Sequence, residues 1–161
     1  MTMQYRFEHL GEVQFIGVLR EYTTGEAMQQ DIPAFWQEMN EAGVVKALTQ
    51  YSNQSLTGLL GVIIPRENRI DYFIGVPHDG LNNNDSNYEV IKLIAHKYVV
   101  IDAKGRVPEA IKAVMPKIYT ELLPQASFKT IQAPAPMFEH YLPGNTQNPD
   151  YITEIWMPIK E

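Results

Sequence analysis

The sequence predicts an α+β fold: duplicated βαββ units, an antiparallel sheet with two helices and a groove between the halves. Three observations carry this. Apolar residues switch from an alternating or run-like pattern to a helical period and back, twice along the chain. The order strand, helix, strand, strand recurs at an offset of about 80 residues. Each helical segment has one apolar stripe, which must be buried against a sheet. With 45% hydrophobic and 20% charged residues, the 161-residue chain has apolar material for one sizeable core. Residues 1–161 therefore read as a single domain with pseudo-repeat halves at about 1–80 and 88–161.

Phe7 to Tyr22 contains the run Phe15, Ile16, Gly17, Val18, Leu19, which suits a strand. From Gln30 to Tyr51 the residues Ile32, Phe35, Trp36, Met39, Val45 and Leu48 recur at three- and four-residue steps. A helix is predicted there, with Asp31 as N-cap, Pro33 near its first turn and Gly43 as an end or weak point. Leu56 to Ile64 and Ile70 to Val76, joined by Pro65, Arg66, Glu67 and Asn68, predict a hairpin. Pro77 to Asn87 reads as a surface connection. The pattern then restarts with strand-like Tyr88 to Asp102. A helix follows, opened by Pro108, carrying Ile111, Met115, Ile118 and Leu122 on one face and kinked by Pro116. Strands are predicted within Thr130 to Tyr141 and at Ile152 to Ile159, separated by the loop Pro143 to Asp150.

Composition excludes several functions. There is no cysteine, which removes disulfides, zinc–thiolate sites and thiol nucleophiles. The net charge of −6 and the lack of a Lys/Arg cluster argue against direct nucleic-acid binding. No apolar stretch approaches the roughly 20 residues of a membrane span, and no secretory leader opens the chain, so no membrane partner and a cytoplasmic location are expected. His9, His78, His96 and His140 are scattered, and no metal or cofactor is expected. Serine-hydrolase and nucleotide-loop motifs are absent from the sequence.

The closing strand alternates so that Glu154 and Trp156 share one face and Ile155, Met157 and Ile159 the other. A carboxylate beside an indole suits an organic cation, which gains about 0.5–2 kcal/mol from each aromatic face. The same spacing describes a solvated sheet face with a partly covered Trp. Glu139 and Tyr141 share a face in the same way, with an edge strand as the alternative. Phe35 and Trp36 are adjacent on a helix, so only one points squarely at the core. Tyr72 and Phe73 present opposite faces of their strand. These eight residues are the candidate ligand-binding set.

Ile32-Pro33-Ala34-Phe35-Trp36, Asp71-Tyr72-Phe73-Ile74-Gly75-Val76, Leu122-Leu123-Pro124, Pro136 to Tyr141 and Glu154 to Ile159, in that order, resemble GyrI-like effector-binding domains. These are the ligand-sensing parts of AraC- and MerR-type multidrug regulators, and the resemblance extends to stand-alone versions on integron cassettes. It implies a groove that accepts bulky, often cationic, aromatic compounds around an acidic residue. Glu154 takes the place of the acid in the family's closing strand, with Glu139 second from the Phe-Glu-x-Tyr pattern. The family's regulators carry a separate helix-turn-helix part, whereas Met1 here leads almost directly into a β segment, so action on transcription would run through a regulator as protein partner. Two further family activities compete: hydrolysis of strained cyclopropane-containing toxins, with a pocket Glu as general base, and interaction with DNA gyrase. The residues favour a non-enzymatic binder, because no positioned partner for a catalytic carboxylate can be identified.

Overall fold

The computed structural model describes residues 4–79, 88–122, 124–125 and 136–159. The connection predicted around Asn82 to Asn87 and the strand start predicted at Thr130 lie outside them. Eight strands are described: β1 (Tyr5–Leu10), β2 (Val13–Tyr22), β3 (Leu59–Pro65), β4 (Ile70–Pro77), β5 (Glu89–Leu93), β6 (His96–Lys104), β7 (Met137–Tyr141) and β8 (Ile152–Ile159). The helices are α1 (Gly25–Glu41), α2 (Val44–Thr49) and α3 (Glu109–Lys117), the last extended by a π-helical turn at Ile118–Leu122. Among the described residues no helix is long and apolar enough to cross a membrane.

The strands form one sheet in the order β1-β6-β8-β7-β3-β4-β2-β5, and every ladder is antiparallel. Two βαββ units are visible in that order, β2-α1-β3-β4 and β6-α3-β7-β8. Each places its strands identically, and their third elements, β3 and β7, pair to join the units. The strand preceding each unit crosses to the other: β1 pairs with β6, and β5 with β2. The α+β architecture is the one the sequence predicts. Both extended runs that read as single strands, Phe7 to Tyr22 and Tyr88 to Asp102, are instead two strands each. The breaks fall at Gly11–Glu12 and Ile94–Ala95, between stretches that pair with opposite ends of the sheet.

The first helix starts earlier than its apolar stripe suggests. Thr24, not Asp31, is the N-cap, its hydroxyl accepting from the Ala27 amide at 3.1 Å. The run Glu26 to Gln30 consists of strong helix formers, so nothing delays the helix until Asp31. Asp31 instead accepts from the Tyr22 hydroxyl and from Arg20 on β2, tying helix to sheet. Pro33 consequently sits inside the helix. Gly43, with φ 77°, ends this helix segment and starts α2, the left-handed conformation that glycine adopts at least cost.

All three described helices cover the same face of the sheet. Met28 and Phe35 of α1 and Leu48 of α2 pack on Ile16, Tyr72, Ile74 and Val76. Ala110, Ile111, Val114, Ile118 and Leu122 pack on Val99, Ile101, Ile155 and Met157. The other face carries no helix among the described residues yet is buried around Phe15, Phe73, Tyr98, Phe138 and Trp156. Phe15 on β2 and Phe138 on β7 are three strands apart, about 14 Å in a flat sheet, but their ring centroids are 5.9 Å apart. The sheet therefore curls until its helix-free face closes on itself, and the groove between the helices lies over the β3–β7 seam.

Candidate functional site

Alternation along a strand fixes which side chains share a face, but not which face meets the groove. The ladders decide this. Glu139 is opposite Ile155 on β8 and Gly61 on β3, and Ile155 belongs to the core under α3. His140 is opposite Glu154, and Phe138 opposite Trp156, in the layer away from the helices. Glu139 and Tyr141 thus project toward the groove, and Glu154 and Trp156 to the other side.

On the groove side four predicted residues converge from three elements, β7, β4 and α1. Glu139 is 8% exposed, and its Oε1 accepts from the Tyr141 hydroxyl at 2.8 Å and from the Tyr72 hydroxyl at 3.2 Å. The Tyr72 oxygen in turn accepts from the Trp36 indole N–H at 2.9 Å. Trp36 and Tyr141 meet edge to face with centroids 5.1 Å apart. Both line a cavity of about 410 Å³ whose other walls include Ile32, Pro33, Leu59, Val107 and Pro108, drawn from both units. Glu139 is one hydrogen bond behind that wall. A second cavity, of about 350 Å³, is lined by polar and charged groups including Glu12, Gln14, His78 and Lys92 and holds none of the predicted site residues.

Burial pushes the Glu139 carboxyl above its ordinary pKa, although the bonds from Tyr141 and Tyr72 pull the other way. Among the described residues no charged side chain contributes to that balance. Tyr72 and Tyr141 are raised well above the ordinary phenol value, first by burial and then by the Glu139 charge. The cluster is an acid whose described hydrogen-bond partners are both phenols, next to an apolar space. Such a carboxyl is stabilised in its charged form by a cation entering that space.

Glu154 is differently placed. Its carboxylate takes hydrogen bonds from Arg6 at 2.8 Å and Trp156 Nε1 at 3.2 Å, and its Oε1 lies 2.8 Å from His140 Nδ1. Burial alone would raise its pKa; the bonds from His140, Arg6 and Trp156 outweigh this and bring it to about 2. With three protein donors already in place, it joins β1, β7 and β8. Trp156 stacks on Phe138 at 5.1 Å within the helix-free core, and Phe73 is fully buried in the same cluster. Phe35 is buried beneath the site, edge-on to Tyr72 at 6.2 Å, with Arg20 over its outer face. Of the adjacent helical aromatics, Phe35 is the core residue and Trp36 the groove residue. The residue absent from the predicted set is Gly61, directly opposite Glu139. Among the described residues no three His, Asp or Glu side chains converge as metal ligands would.

The sequence from residue 6 to 159 matches the family model described as integron-associated effector binding protein. Among solved structures, a Staphylococcus aureus MU50 protein described as a bacterial transcription regulation protein is 35% identical, with 99% of this chain and 100% of that one covered and a TM-score of 0.89. SAV2435, solved bound to tetraphenylphosphonium, is 34% identical over 98% of this chain and 94% of that one, with a TM-score of 0.90. An integron cassette protein from the mobile metagenome of Vibrio cholerae shares the fold at 15% identity, over 98% of this chain and 97% of that one, with a TM-score of 0.65. No curated protein matches the chain.

Proposed function

Since the chain belongs to the integron-associated effector binding protein family, we propose that it is a non-enzymatic receptor for bulky hydrophobic monocations, which it binds in the groove between its two βαββ units with Glu139 as the counter-ion. The observation that carries this reading is the buried Glu139 carboxyl, held by two phenol hydroxyls and one hydrogen bond behind the wall of an apolar cavity. The cavity takes up the rings of the ligand. Trp36 and Tyr141 offer aromatic faces to its charge, each worth about 0.5–2 kcal/mol. Glu139 compensates a charge that would otherwise lose its hydration without a partner. The tetraphenylphosphonium carried by the 34% identical SAV2435 is a ligand of this chemistry. Glu154, already engaged by Arg6, His140 and Trp156, is assigned a structural role.

The test is titration of tetraphenylphosphonium, and of neutral triphenylphosphine oxide, against the protein and Glu139→Gln, followed by tryptophan fluorescence. The substitution keeps the side-chain size and removes the charge. It should weaken the cation by about 1.5–3 kcal/mol, the range for interactions with a charged group, and the neutral compound much less. Equal losses for both compounds, or none, would remove Glu139 as counter-ion.

A further inference from the structure

Four described glycines have a vacant Cβ position tightly occupied by other atoms, and they differ in what occupies it: at Gly58 a Cβ would fall 2.1 Å from the Tyr141 backbone carbonyl oxygen. At Gly17 and Gly75 it is mainly backbone: a Cβ would fall 1.9 Å from the Ile74 carbonyl oxygen and 2.4 Å from that of Ile16. These glycines let β2 and β4 approach closely. At Gly61 a Cβ would fall 2.1 Å from the Tyr72 hydroxyl oxygen, 2.9 Å from the ring carbon bearing it, and 3.3 Å from Glu139 Oε1. All three are side-chain atoms of the proposed counter-ion site. Gly61 is moreover the register partner of Glu139, at the seam where equivalent strands of the two units meet. One unit supplies the acid, and the other supplies the space above which the acid and its phenol come together.

We propose that Gly61 is a specificity-determining, positioning residue: its missing side chain holds the Tyr72 hydroxyl on the Glu139 carboxyl and thereby makes the groove selective for a cation over a neutral molecule of similar shape. This rests on Glu139 as the counter-ion. A methyl group at position 61 displaces the Tyr72 hydroxyl, since 2.1 Å is far inside van der Waals contact. It also crowds Glu139 Oε1. The acid then keeps only the Tyr141 donor, and its charged form, the one a cation needs, becomes harder to reach. The apolar walls, supplied by Ile32, Pro33, Leu59, Val107 and Pro108, are untouched, so a neutral ligand feels little change.

The experiment is a double-mutant cycle on Gly61→Ala and Tyr72→Phe, with Glu139→Gln as reference, using tetraphenylphosphonium and triphenylphosphine oxide as probes. Gly61→Ala should weaken the cation about tenfold and the neutral probe less than about twofold, a change of selectivity that loosened packing alone would not produce. In the Tyr72→Phe background the clashing oxygen is gone, and Gly61→Ala should cost the cation no more than about a further twofold, for the remaining ring carbon. Equal weakening of both probes by Gly61→Ala, or the same cation loss in both backgrounds, would overturn the proposal. If Gly61→Ala fails to fold alone, recovery of folding in the double variant supports action through the hydroxyl. Failure of both while Tyr72→Phe folds overturns it. A cation affinity unchanged in Glu139→Gln would remove the counter-ion reading and this proposal with it. A loss in Glu139→Gln with none in Gly61→Ala removes this proposal alone.

Discussion

Replacing Glu154 by Gln should destabilise the protein without touching its affinity for a cation. The carboxylate side chain is only 12% exposed and lies 2.8 Å from both Arg6 and His140. Its pKa falls from the ordinary 4.5 to about 2. Such a lowering is worth on the order of 3 kcal/mol, and solvent around the half-exposed Arg6 reduces this to about 2 kcal/mol. For a chain of this size that corresponds to a fall in Tm of about 4–8 °C. The sign with pH follows from the lowered pKa. The contribution is fully present above the unfolded value of 4.5 and is lost as pH falls toward about 2, so the gap between the two proteins should close over that window. Melting followed by circular dichroism across the acid range reads stability, and tetraphenylphosphonium titration at neutral pH reads the site. An unchanged Tm together with a cation affinity reduced about tenfold would move the counter-ion to Glu154 and refute the assignment of the two faces.

Because burial raises the Glu139 pKa, cation binding should release a proton: below that pKa the affinity should fall by up to about tenfold per pH unit, and calorimetry in buffers of different ionisation enthalpy should count the proton. A flat profile through the acid range would contradict this. The same shift predicts that Glu139→Gln stabilises the ligand-free protein at neutral pH, since the native state holds this proton more tightly than the unfolded chain and loses stability as pH rises above 4.5; a lower Tm than wild type would count against it. Thr24→Ala should cost about 1 kcal/mol of stability by chemical denaturation, as loss of an N-cap does, and an unchanged midpoint would show that the α1 start is held by something other than its cap.

The sequence made the alternation of Glu139 with Tyr141, and of Glu154 with Trp156, plain, because a strand repeats every two residues. It could not say which set faces the helices. That choice is made by ladder register, in which Glu139 meets Ile155 while His140 meets Glu154, and such pairings bring together residues far apart in the chain. The two acids therefore looked equivalent by pattern, and the closing-strand resemblance favoured the one that the fold engages with Arg6. The helix stripe Ile32, Phe35, Trp36, Met39 was legible as core or groove but not divided between them until Phe35 met Tyr72 and Trp36 met Tyr141. The α1 start was missed because Thr24 precedes the apolar stripe by just over two turns, although Thr24 is itself a strong cap residue. Gly61 left no signal at all, since a glycine's role lies in the atoms that occupy its empty volume, and those come from β4 and β7.

The crossing of the outermost strands has a consequence for the order in which the molecule forms. Tyr5 to Leu10 pair with His96 to Ile101, so β1 must wait until β6 has been made. The first βαββ unit likewise lacks its outer neighbour until β5 is synthesised. Neither unit can finish its sheet from its own stretch of chain, and contacts of this sequence separation are slow to close because the intervening loop entropy must be lost first. The ladders that join the two units, β3–β7 at the seam and β1–β6 and β2–β5 toward the outer ends, are therefore all pairings of long sequence separation, and loop entropy places them late in folding.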